Sequence, residues 1–228
     1  MMDFLEQFLW YPLDHLPFIL IVLALAFTVH EFAHAYSAYK FGDPTARDQG
    51  RVTLNPMAHL DPIGTLLLLI AGFGWAKPVP VVRSRFRYPR LMGIVVSAVG
   101  PLSNLLLAFI GVALYSLFAH TGWLDGASIG VRLAVSIFLN YLININVLLF
   151  IFNLIPLPPL DGYRIVEDLS PPRVREKLDR YAQWGVFVFL LLVFIPDLRA
   201  VTLGPLFGLA SPIIFGMFSL FGLSFLSN

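Results

Sequence analysis

Four apolar stretches, Leu16 to Phe41, Leu91 to Ala119, Leu133 to Ile155 and Leu203 to Leu226, are long enough to cross a bilayer, which takes about 20 residues per helix. Hydrocarbon offers no hydrogen-bond partner, so a spanning segment must satisfy its own backbone, and a helix does so. A fifth stretch, Trp184 to Pro196, is shorter. Composition agrees: 58% of residues are hydrophobic and 13% charged, with the 15 Lys and Arg and 14 Asp and Glu mostly in short loops. The expected fold is an all-α polytopic membrane protein with about five transmembrane helices. No loop is long enough to fold alone, so residues 1–228 read as a single membrane-embedded domain. The net charge of +1 gives no reason to expect nucleic acid. The first fifteen residues carry Asp3, Glu6 and Asp14 with no basic run, unlike a cleavable signal peptide.

Ile63 to Ala76 is too short to span and is broken by Gly72 and Gly74, which suits a re-entrant segment. If it dips in and returns, thirteen of the fifteen cations share one side, leaving Arg132 and Arg199 opposite. By the positive-inside rule that side is cytoplasmic. The chain is therefore expected to be a multi-pass protein of the cell membrane, N-terminus outside and C-terminus inside. Pro171 to Arg180 reads as a short cytoplasmic connecting helix.

Within the first span, His30, Glu31 and His34 form HEFAH, an HExxH pattern. Helical geometry puts the two imidazoles one turn apart on one face, so both can bind one metal ion. Glu31 lies about 100° round from His30, placed to take a proton from a water that the metal activates and to deliver it to a leaving amine. Ionisable groups at this depth cost on the order of 3 kcal/mol each, and a metal bound by converging ligands offsets that cost. The chain has no cysteine, so any ligand must be His, Asp or Glu.

A catalytic zinc takes three protein ligands and keeps one position open. Asp161 is the leading third candidate: it follows the proline-rich NLIPLPPLDG, whose unpaired backbone must line a cavity or meet protein, and Gly162 permits a tight turn after it. Read alone, an aspartate in this position is more often a helix-end or turn residue than a ligand. His59 and Asp61 are the remaining candidates, between Pro56 and Pro62. Intramembrane His, Glu and Asp also occur in metal-ion transporters and in inactive scaffolds that bind membrane helices. The absence of repeated halves speaks against the transporter, and the intact HExxH against the scaffold.

The ordered set HEFAH, then GPLSN at Gly100 to Asn104, then NLIPLPPLDG at Asn153 to Gly162 resembles the site-2 protease family of intramembrane zinc metalloproteases, in its small bacterial form without PDZ or CBS domains. The likeness covers a catalytic core from about residue 16 to 162, with C-terminal helices over 163–228. It implies Zn2+ as cofactor, His30, His34 and Asp161 as its ligands, and Glu31 as acid and base. It also implies a role for Asn153 beside the metal, bonding substrate or oxyanion, where the residue alone fits an interhelical hydrogen bond equally. GFGWAKPVPV, Gly72 to Val81, corresponds to the family's small membrane-associated β-hairpin, whose edge holds unfolded substrate by strand addition. Gly74, Trp75, Ala76, Lys77, Pro78 and Val79 are then the expected substrate-binding residues. Pro78 and Pro80 would leave Lys77, Val79 and Val81 able to pair on one side, although without the resemblance the run reads as a proline-rich loop. The implied partners are transmembrane proteins or peptides as substrates, and the lipid bilayer.

Overall fold

A computed structural model describes residues 10–71 and 74–223. It is helical, with no strand among the described residues. We label the helices α1 (Leu16–Lys40), α2 (Pro62–Ala71), α3 (Pro89–Thr121), α4 (Ile129–Asn153), α5 (Asp161–Leu169), α6 (Pro172–Phe194), α7 (Pro196–Gly208) and α8 (Ala210–Ser219). Four segments are long and apolar enough to cross a membrane: α1 with the turn before it, α3, α4, and α7 with α8 taken together. The chain is a multi-pass membrane protein.

The packing of α1 explains where the chemistry lies. Its buried residues recur one turn apart, from Ile19, Val22 and Leu23 through Ala26 and Phe27 to His30, Glu31, His34, Ala35 and Ala38. Lipid is as apolar as leucine, so helices here associate through close packing and interhelical hydrogen bonds. Small residues permit the approach: Ala26, Ala35 and Ala38 on α1, and Gly93, Gly100, Ala108 and Gly111 on α3, are all buried. The N-terminal half of α1 packs with Leu68 of α2 and Leu139, Leu142 and Ile145 of α4. On the other side, Ala108 and Val112 of α3 meet Ile143 and Val147 of α4 and Met217 and Phe218 of α8.

Three features differ from the expected architecture. First, four of the described segments have the length and apolarity of a span, where about five are expected. The stretch from Trp184 is fused to the basic connector in the one helix α6, so its apolar part is only half a helix. Second, the last span begins at Pro196, earlier than expected, and breaks at Leu209 between α7 and α8. Pro212 has no N–H to give the Gly208 carbonyl, which accounts for the break. Ser224, Phe225 and Leu226 of the expected stretch lie outside the described residues, as do Asp3 and Glu6. Third, no β-hairpin is formed among the described residues. A single antiparallel bridge joins Leu60 to Ala76, and Gly72 lies outside the described residues.

That bridge sets the course of the intervening chain. At 1.5 Å per residue, the ten residues of α2 rise only about 15 Å, and Leu60 before it is paired with Ala76 after it. The two ends of the segment therefore lie side by side. A β-carbon on Gly64 would overlap the Trp75 backbone, and one on Gly74 would overlap the Gly64 carbonyl. Both glycines are therefore needed for the returning chain to lie against α2.

Candidate active site

The Nε2 atoms of His30 and His34 are 3.0 Å apart. Asp161, the first residue of α5, brings its Oδ2 to 3.2 Å from each. Among the described residues, these three are the side chains grouped closely enough to hold a metal. The prolines of Asn153 to Leu160 end α4 and turn the chain so that α5 starts beside α1. Gly162 is helical rather than left-handed. Space is what it supplies, because a β-carbon there would overlap the Leu154 and Ile155 carbonyls. At the far end of α5, Glu167 and Asp168 are buried and both accept from Arg83 Nη1 at 3.0 Å. This ties the loop before α3 to the helix that carries Asp161.

The hydrogen bonds behind the imidazoles fix which nitrogen bears the proton. A backbone carbonyl only accepts, so Leu142 O takes Nδ2 of Asn146, at 2.8 Å. Asn146 Oδ1 then faces Asn104 Nδ2 at 2.9 Å, which also reaches Ala26 O at 3.3 Å. Asn104 Oδ1 is left to accept from His30 Nδ1 at 2.7 Å. Val96 O imposes the same tautomer on His34, whose Nδ1 donates to it at 2.6 Å. Both Nε2 atoms therefore present lone pairs. Two lone pairs and a carboxylate oxygen converge with no donor among them, an arrangement that calls for a cation.

Zinc fits this donor set. Bonds of ~2.0–2.2 Å at tetrahedral angles separate ligand atoms by roughly 3.3–3.6 Å, close to the 3.0 and 3.2 Å found. Gly100 of α3 makes the room: a β-carbon there would overlap the His34 ring and press on His30. Partners behind histidine ligands commonly govern affinity. Asn104→Leu is expected to weaken zinc binding by about 10–100-fold, read by chelator competition. An unchanged affinity would mean that Asn104 does not set the His30 tautomer.

Glu31 is buried on the same face, and its Oε2 accepts from the Val79 N–H at 2.9 Å. A cavity of about 670 Å³ joins these groups; His30, Glu31, His34 and Asp161 line one wall and Gly74, Trp75, Ala76, Pro78 and Val79 another. Lys77 stands outside this wall, its side chain exposed and its N–H donated to His59 O at 2.8 Å. Two of the three N–H groups expected to face substrate, those of Lys77 and Val79, are thus engaged within the chain. Asn153 lines the cavity from the end of α4, and its Nδ2 donates to Leu149 O at 3.0 Å within its own helix. His59 and Asp61 are not part of the metal-capable group. His59 Nε2 pairs with Thr53 O at 2.8 Å, and Asp61 Oδ1 caps α2 by accepting from the Gly64 N–H at 2.8 Å.

Sequence reasoning missed Asn104 and Asn146, both fully buried, and Arg51 and Arg83. Polar residues inside an apolar span were the available signal, although α4 carries Asn140 and Asn144 as well, both exposed to some degree. Beyond the spans, Asp43 anchors the segment after the bridge, accepting from the Val82 N–H at 2.6 Å. Burial pushes its carboxyl up, but hydrogen bonds from Thr45, Val82 and Arg85 together hold it below the usual carboxylate value.

The sequence profile of Peptidase family M50 matches residues 82–196. A Bacillus subtilis (strain 168) protein named "Putative zinc metalloprotease YwhC" is 51% identical over 217 residues, covering 94% of this chain and 97% of that protein. "Putative zinc metalloprotease Rip2" of Mycobacterium tuberculosis (strain H37Rv) is 30% identical over 221 residues, 93% of this chain and 78% of that protein. The Mycolicibacterium smegmatis protein of the same name is 29% identical over 199 residues, 82% and 72% of the two chains. No solved structure matches significantly.

Proposed function

The chain belongs to peptidase family M50, and on that premise we propose that this zinc metalloendopeptidase of the site-2 protease family cuts peptide bonds within or beside the membrane-spanning segments of other proteins. One observation carries the reading: three metal-ligand atoms and Glu31 share a cavity inside a bundle of membrane-spanning helices. His30, His34 and Asp161 would hold the zinc, which supplies Lewis acidity to polarise a carbonyl and acidify water. Glu31 accepts the proton of the attacking water on its carboxylate and returns it to the leaving nitrogen. Asn153 has one amide hydrogen beyond its bond to Leu149 O, and offers it to the carbonyl oxygen of the substrate.

The lining of the cavity suits such a substrate. Arg83, Arg164, Glu167 and Arg175 line one part of it and admit water; Phe152, Val186, Phe189 and Leu190 line another and suit an apolar segment. The charged part lies with the loops that hold most of the cations, so by the positive-inside rule it opens to the cytoplasm. A helical substrate hides its carbonyls in its own hydrogen bonds and must unwind first. The chain from Gly74 to Ala76 is the place for the unwound strand to lie, because the Lys77 and Val79 N–H groups are engaged within the chain.

The test is cleavage of a single-pass protein co-reconstituted with the enzyme in vesicles, with the cut mapped by mass spectrometry. A cut in or next to the spanning segment is expected. Cuts confined to water-exposed regions would contradict intramembrane action.

A further inference from the structure

We propose that Val79 and Arg51 are positioning residues for Glu31: the chain from Lys77 to Pro80, clamped by Arg51, presents one backbone N–H that fixes the Glu31 carboxylate. The proposal rests on the proteolytic role given to Glu31 above. It assigns the Val79 amide to the catalytic base rather than to a substrate strand.

The sequence Lys77-Pro78-Val79-Pro80 is built to present a single donor. Pro78 and Pro80 have no N–H, so Val79 offers the lone amide hydrogen of the three residues 78–80. Each residue before a proline is pushed to an extended conformation, which restricts Lys77 and Val79, and the prolines have fixed φ. Four consecutive residues are thus stiff, and little freedom is lost when the Val79 N–H meets Glu31 Oε2 at 2.9 Å. Glu31 keeps its other oxygen for the proton.

Arg51 holds this stretch in place. It is 5% exposed and has no ion-pair partner among the described residues, an expensive state for a guanidinium unless polar groups take its donors. Its Nη2 donates to Lys77 O at 2.5 Å and its Nη1 to Pro78 O at 3.2 Å. From the same loop, His59 O accepts from the Lys77 N–H at 2.8 Å, and beyond the stretch Asp43 holds the Val82 N–H. The segment Arg51 to Gly64 thereby acquires a purpose as the cradle of this stretch.

Two measurements test the contact, the first independent of any activity. In detergent-solubilised protein labelled with 15N-valine, without zinc or substrate, the Val79 amide is identified by its loss in Val79→Pro. Glu31→Ala and Arg51→Ala are each expected to speed its hydrogen exchange by about tenfold or more, with the valines of α3 unchanged. In the zinc-loaded enzyme, Val79→Pro is expected to lower kcat by about tenfold or more, with KM and zinc content unchanged and no further loss in a Glu31→Gln background. Should Val79→Pro not fold, Arg51→Ala carries the same kinetic expectation, partly restored by Arg51→Lys. Exchange indifferent to Glu31→Ala would overturn the proposal, as would an unchanged or raised kcat, or a change in KM alone. Slowed exchange in the wild type with no peptidase activity at all would instead refute the proteolytic reading and leave the contact standing.

Discussion

Replacing Glu31 with Gln is expected to reduce cleavage of a membrane substrate by about 10²–10⁴-fold, the usual contribution of general acid–base catalysis, while zinc stays bound. Glutamine has the same shape and its carbonyl can still accept from the Val79 N–H, so the wall of the cavity is preserved. The ligand atoms of His30, His34 and Asp161 are untouched. What disappears is the capacity to take a proton from water, because an amide is not basic at neutral pH. The loss corresponds to roughly 3–5 kcal/mol of transition-state stabilisation at 1.36 kcal/mol per tenfold. Initial rates on reconstituted substrate, with zinc per chain measured on the same samples, decide it. Full activity in Glu31→Gln would assign the proton transfer elsewhere.

The second large effect removes no ligand at all. Gly100→Ala is expected to abolish zinc binding and cleavage together, because the added methyl would occupy the space of the His34 ring and crowd His30. Neither ring can retreat easily: His34 is held by Val96 O at 2.6 Å and His30 by Asn104 at 2.7 Å. The overlap must instead be relieved by parting α1 from α3, which breaks those bonds, and each buried partner left unpaired costs about 1–3 kcal/mol. Gly111→Ala is the control on the same helix. Its β-carbon would meet Ile143 Cγ1 at 2.9 Å and Leu142 Cδ2 at 3.3 Å, apolar side chains that do not touch the imidazoles, so zinc is retained whatever the packing costs. Wild-type zinc content in Gly100→Ala would show that the helices have slack at this crossing.

What could be read from the sequence follows from the solvent. An ionisable triplet inside an apolar helix is so costly that His30, Glu31 and His34 announce themselves, and span length gives α1, α3 and α4 to within a few residues of their ends. The inward face of α1 is another matter. Its lipid side is as apolar as its protein side, so hydropathy does not separate Leu23, buried, from Ile21, exposed; small residues and polar atoms mark the contact instead. The last span is misplaced by a count of apolar residues because Pro196 starts a helix and Pro212 interrupts one, and such a count sees neither. Asn104 is visible only within the GPLSN motif. Its bond to His30 depends on Asn146, 42 residues further on, and on carbonyls from two other helices, a relation that no periodicity encodes. The prolines at 78 and 80 signal a strand able to pair on one side, yet tertiary contacts choose the partners, Glu31 and His59.

Two imidazoles of α1 and the first residue of α5 are expected to hold one zinc within the bundle. Element-resolved metal analysis of the purified, detergent-solubilised protein beside Asp161→Ala tests it most directly. About one zinc per wild-type chain, lost in Asp161→Ala, is the expected result for a three-ligand site. A wild-type protein without zinc, or zinc indifferent to Asp161→Ala, would contradict it.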